Sequence, residues 1–144
     1  MATPLQLLDT NILVHYVRED FAWTQICQDY ELLLVEPTPL ISIVTAGEIR
    51  SLATQFDWGS SKRGRMEFAL GYFKTVPVDS PEQISIYSEI DNHCLDRGRV
   101  MGKNDLWIAA TAALTDARLL TSDADFKLLD GVFLYLEWVR APES

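Results

Sequence analysis

Residues 5–16 read LQLLDTNILVHY, and this stretch decides the fold. An apolar run closes on Asp9 and a helical spacing of apolar residues follows at once, so the pattern predicts a strand over about residues 5–9 and a helix from about Asn11. The same hand-over recurs down the chain. PLISIV (39–44) reads as a buried strand rich in β-branched residues, with Thr45 opening a helix and Glu48 three residues on completing a capping-box pattern. ARLLTS (117–122) is another buried strand, followed directly by Asp123. A helix beginning near Asn104 carries Asp105 in its first turn.

The remaining segments fit the same alternation. A helix covers roughly residues 22–34 and stops before Pro37 and Pro39, and another runs from the Gly59–Ser61 loop to about Lys74. TVPV (75–78) is a short strand. Ser80, Pro81 and Gln83 make a strong helix start, and that helix ends near Gly98. VFLYLEW (132–138) is a last strand at a sheet edge. Residues 1–144 therefore read as a single α/β domain, a three-layer α/β/α sandwich around a mostly parallel sheet of about five strands.

Composition sets bounds on function. Of 144 residues, 48% are hydrophobic and 23% charged, which is ordinary for a globular chain. No apolar run is long enough for a membrane span and the first residues lack a leader pattern, so a cytoplasmic location with no membrane association is expected. Cys27 and Cys94 stand far apart without CxxC spacing, which reads as two free thiols. The net charge of −9 weighs against a polyanion partner, but its distribution does not. Residues 1–49 hold seven acids and one base, whereas residues 50–103 hold eight bases and seven acids. Two basic clusters, Lys62, Arg63 and Arg65 and then Arg97, Arg99 and Lys103, are the residues that would contact a polyanion such as a nucleic acid if one binds.

Asp9, Glu48, Asp105 and Asp123 each close or closely follow an apolar run. In a parallel sheet such positions converge in the crevice at the carboxyl ends of the strands. Each acid has an ordinary use as a cap or turn former, yet capping does not require all of them at the same end of successive strands. Like charges gathered there resist ionisation unless a cation lies between them. Hard ions such as Mg²⁺ or Mn²⁺ suit an all-oxygen site. Thr10, Asn11, Asn104, Thr121 and Ser122 flank the acids and offer hydrogen bonds that would orient carboxylates. His15 and His93 lie in predicted helices without a catalytic partner.

Four blocks in order, LLDTNILVHY, SIVTAGEI, NDLWIAATA and LLTSDADF, resemble the PIN domain, in particular the single-domain VapC-type toxins of toxin–antitoxin pairs. The resemblance covers nearly the whole chain. It implies a metal-dependent ribonuclease with Asp9, Glu48, Asp105 and Asp123 as an acidic quartet for Mg²⁺ or Mn²⁺. Asp9, Asp105 and Asp123 would bind the ion directly or through water, and Glu48 would hold or orient a water. Asp125 would be at most an auxiliary acid, with Thr10, Asn11 and Thr121 as polar supports. Products with a 5′-phosphate and a 3′-hydroxyl, a small antitoxin partner and a symmetric homodimer are further implications. Ser122 departs from the asparagine that many relatives carry there. Two alternatives stay open: a PIN-like binding module without turnover, and a Mg²⁺-dependent phosphoacceptor or phosphatase domain. The phosphatases need a DxD pair, and here Asn11 occupies the second position.

Overall fold

A computed structural model describes residues 3–139 of the chain. Its strands are β1 (Gln6–Leu8), β2 (Leu40–Ser42), β3 (Lys74–Val76), β4 (Arg118–Thr121) and β5 (Tyr135–Trp138). The helices are α1 (Thr10–Arg18), α2 (Phe21–Tyr30), α3 (Ile43–Gln55), α4 (Ser60–Tyr72), α5 (Pro81–Asp96) and α6 (Lys103–Thr115), and a 3-10 segment covers Ala124–Leu129. The strands lie in the order β3-β2-β1-β4-β5, and every pair is parallel.

Successive side chains of a strand point to opposite faces, and the three central strands use that alternation to separate two cores. Leu8, Ile41 and Leu120 face a layer with Ile12, Tyr16, Trp23, Ile49 and Met66 from α1 to α4. Leu7, Leu40 and Leu119 face the other, with Ile90, Cys94, Leu106, Ile108 and Ala109 from α5 and α6. Both sheet faces are therefore covered, as parallel strands require. Truncating any of these leucines to alanine costs about 2–5 kcal/mol.

The central strands carry the site. Chain direction across the sheet reverses beside β1, with β2 on one side and β4 on the other, which opens a crevice at their carboxyl ends. The amide of Asp9 donates to the carbonyl of Leu120 at 3.0 Å, fixing the end of β1 against that of β4.

Several boundaries depart from the sequence expectation for local reasons. The helix expected over 22–34 stops at Tyr30, where Glu31 adopts a left-handed backbone (φ 48°) and its amide bonds back to Cys27. β2 is three residues long because the Ser42 hydroxyl accepts from the Val44 amide at 3.1 Å and caps α3 early. Thr45 is consequently inside the helix and not its cap. Ser80 caps α5 as expected, accepting from the Gln83 amide at 3.2 Å. The buried Gln83 side chain then reaches across to donate to the Thr111 hydroxyl at 2.8 Å, clamping α5 to α6. Cys27 and Cys94 are free thiols. Among the described residues, no helix is long and apolar enough to cross a membrane.

Candidate active site

Asp9 leaves β1 into the crevice and caps α1. Its carboxylate accepts from the Thr10 amide at 2.8 Å and from the Thr121 hydroxyl at 2.7 Å. The residue is only 4% exposed. Burial pushes its pKa up to about 6, against the pull of those two hydrogen bonds, and the charges of Asp123 and Glu48 raise it further. Thr121 joins two acids, since its oxygen also accepts from the Asp123 amide at 2.9 Å. Asp123 caps the 3-10 segment, accepting from the Asp125 amide at 2.9 Å. Its capping and its place in the crevice coexist.

Asp105 enters from the first turn of α6, half-buried. Burial and then the charges of Asp9, Asp123, Glu48 and Asp125 push its carboxyl to about 7. Glu48 comes from α3 and accepts from the Thr10 hydroxyl at 2.7 Å, while the Thr45 hydroxyl lies 3.0 Å from that of Thr10. Five acids from β1, α3, α6 and the segment after β4 thus share one field.

Carboxylate oxygens of Asp105, Asp123 and Asp125 lie within 4.8 Å of one another. A set of hard anionic oxygens gathered this closely and, among the described residues, without a basic side chain bonded to it, fits a divalent cation. Asp125, expected as an auxiliary acid, is a full member of this trio. Asp9 stands behind it, both its oxygens already accepting hydrogen bonds.

The supporting residues divide in the same way. Thr10 and Thr121 hold carboxylates, and Thr45, read from sequence only as a cap, completes the Thr10–Glu48 contact. Among the described residues, Asn11, Asn104 and Ser122 make no side-chain hydrogen bond to the acids. The Asn11 carbonyl oxygen is buried without a partner, and Asn104 is exposed on the rim. None of the three thus makes in this structure the carboxylate contact expected of it. His15 Nδ1 lies 2.7 Å from Asp20 Oδ2, and His93 packs edge-on against Phe133. Both have structural surroundings.

The two basic clusters have different fates. Arg63 donates to the carbonyls of Trp58 at 2.8 Å and Ala53 at 3.1 Å, closing the end of α3. Arg65 donates twice to the Tyr16 carbonyl, pairs with Glu19 and lies 4.0 Å from the Tyr16 ring centre. These two guanidinium groups tie helix ends together, although Arg63, like Lys62, stays exposed and Arg65 is half-buried. Lys103 instead lines the mouth of the site with Glu48, Gly102, Asn104 and Asp105, a cavity of about 460 Å³. Arg99 lines a small cavity with Asp125. Arg97 is exposed and donates to the His93 carbonyl at 3.0 Å.

Known proteins are similar to this chain in sequence and fold. The chain is 28% identical over 128 residues to Ribonuclease VapC5 of Mycobacterium tuberculosis, covering 87% of each. Its structure is similar to that of VapBC-5 from the same organism, a member of the VapBC family of toxin-antitoxin systems, with a TM-score of 0.67, 26% identity and coverage of 96% and 99% of the two chains. The fold of VapBC2 from Rickettsia felis, solved bound to a promoter DNA fragment, matches with a TM-score of 0.77 at 24% identity, over 92% of this chain and 97% of that one. The PIN domain family model spans residues 7–132, from β1 through the last of the acids. With strand order, acidic crevice and sequence match all in agreement, the chain belongs to the PIN domain family.

Proposed function

We propose that the protein is a ribonuclease that hydrolyses RNA phosphodiester bonds with Mg²⁺, and that it serves as the toxin of a toxin–antitoxin pair. The observation that carries this reading is the convergence of Asp9, Glu48, Asp105, Asp123 and Asp125 at one end of the sheet, with the carboxyl groups of Asp9 and Asp105 raised in pKa and oxygens of Asp105, Asp123 and Asp125 within 4.8 Å of one another. Asp105, Asp123 and Asp125 would hold the ion, with Asp9 behind them. When bound, it supplies charge neutralisation at the phosphate and acidifies a coordinated water. The chain's own residues do the rest. Thr121 and the Thr10 amide fix Asp9, and the Thr121 oxygen sets the backbone that presents Asp123. Glu48, held by Thr10, accepts a hydrogen bond from the attacking water and orients it toward phosphorus. Lys103 and Arg99 at the rim receive the flanking phosphates.

Retention of every acid favours activity over a silent binding module. The phosphatase alternative loses support because the residue two after Asp9 is Asn11, its oxygen turned into the interior. A small antitoxin as partner is proposed from the VapBC relatives, and a homodimer and a cytoplasmic location are part of the same proposal. Cleavage of single-stranded RNA by the purified chain, dependent on Mg²⁺, abolished by chelation and lost in Asp105→Asn, is the expected outcome. RNA left intact by the wild type over a range of Mg²⁺ and Mn²⁺ concentrations overturns the reading.

A further inference from the structure

A second cavity, of about 490 Å³, adjoins the mouth of the site and shares Glu48 and Asn104 with it. It runs along α3, whose Val44, Gly47, Ser51, Leu52 and Gln55 recur at helical spacing on one face. Val44 and Leu52 supply a half-buried apolar wall. The polar groups are amides and a hydroxyl: Gln55 donates to the Ser51 hydroxyl at 2.8 Å, which leaves its carbonyl and its second N–H uncommitted. Among the described residues, no lysine or arginine lines this cavity. A phosphate is therefore a poor occupant and a neutral planar group a good one.

Gly47 adds an independent observation. It sits in the interior of α3, where glycine weakens a helix relative to alanine. Its backbone is not left-handed, and a Cβ built there meets nothing within 4 Å. The fold therefore does not require glycine at this position. The space left open by the missing side chain is the cavity, one residue before Glu48.

We propose that this cavity receives an unpaired base of the RNA next to the scissile phosphate, with Gln55 and Asn104 hydrogen-bonding its edge. The inference rests on the ribonuclease reading. Sequence-specific RNA recognition splays out unstacked bases and hydrogen-bonds their edges, Gln and Asn amides present the paired donor and acceptor that base edges match, and here Val44 and Leu52 supply the apolar contact. Gln55 lies seven residues after Glu48, about 10 Å along the helix, a short step from the acids. The volume falls within the range of small-ligand sites.

The test compares wild type, Gly47→Leu and Gln55→Ala on a pool of randomised single-stranded RNA with Mg²⁺, sequencing the cut ends. Wild type is expected to prefer a base at one position beside the cut. Both variants should flatten that preference and lower kcat/KM on the preferred sequence by about tenfold or more, while Gly47→Leu melts at or above the wild-type Tm because leucine favours the helix. Wild-type cleavage with a preference that both variants keep overturns the base site and leaves the ribonuclease reading standing. A wild type that cuts no RNA overturns both. A kept preference with a changed sedimentation coefficient in Gly47→Leu makes the cavity a contact between copies and likewise overturns the proposal.

Discussion

The rear and the front of the acidic crevice solve the problem of buried charge differently. At the rear, Asp9 is sealed from water and two protein donors hold its oxygens, while Thr10 and Thr45 tie in Glu48. At the front, Asp105, Asp123 and Asp125 face one another, and among the described residues no cationic side chain is bonded between them. The rear is organised by the chain itself, and the front is balanced only when something positive arrives. A site that must capture an ion reversibly needs both, since a rigid back wall sets the geometry and an unsatisfied front supplies the affinity.

The largest effect should come from breaking the front. Asp105→Asn is expected to lower RNA cleavage on the order of 10²–10³-fold, the scale seen when one preorganised electrostatic group is removed. Its ion-free Tm should hold or rise, because one of several repelling charges is gone. Steady-state cleavage and a melting curve in chelator check the two halves.

Acidity sharpens the contrast next. Asp9 and Asp105 have pKa values raised from the ordinary 3.8 to about 6 and about 7. The folded chain therefore binds more protons than the unfolded one in that interval. The stability they contribute is fully present below about pH 4 and is lost as pH rises through 6 and 7. For the buried Asp9 alone the loss is about 3 kcal/mol. Melting in chelator from pH 5 to pH 8 should show a falling Tm, and millimolar Mg²⁺ should restore it at the upper end by mass action. A flat profile in chelator, or an equal Mg²⁺ shift in a variant lacking both Asp9 and Asp105, would place the repulsion elsewhere.

Breaking the rear should cost less activity and more stability. Thr121→Val removes the donor to Asp9 and the acceptor of the Asp123 amide. Cleavage should fall about 10–100-fold, and stability by about 1–3 kcal/mol through the groups left unpaired. Thr121→Ser should recover most of both. A Thr121→Val variant that keeps wild-type activity and stability would show that the hydroxyl does not hold the rear of the crevice.

The smallest effect separates the basic clusters. Neutralising Arg97, Arg99 and Lys103 should weaken RNA binding and reduce the log-log salt slope by about 0.7 for each phosphate no longer neutralised by the protein, with little change in kcat. Arg65→Ala should leave that slope alone and lower the Tm, since its guanidinium holds the end of α1. Salt titrations of binding and melting curves on both variants distinguish the two roles.

Much of the molecule was legible in residue order. Asp9 after LQLL, Glu48 after PLISIV and Asp123 after ARLLTS appear where strands end, and the Ser80–Pro81 start of α5 is readable to the residue. Strand periodicity, caps and prolines act within a few positions of the chain, so the alternation of strands and helices and the gathering of acids at one sheet end were determined by sequence alone. Other features depended on neighbours far along the chain. Thr121 meets Asp9 across 112 residues and Thr10 meets Glu48 across 38. Arg65 finds the Tyr16 carbonyl across 49 residues, which no count of charges could foresee. The order β3-β2-β1-β4-β5, the burial of the Asn11 side-chain oxygen and the entry of Asp125 into the acidic trio were likewise decided by tertiary structure. The physical reason is one of range: backbone periodicity and capping are settled locally, whereas the partner of a buried polar group is whichever donor or acceptor the packed layers bring beside it.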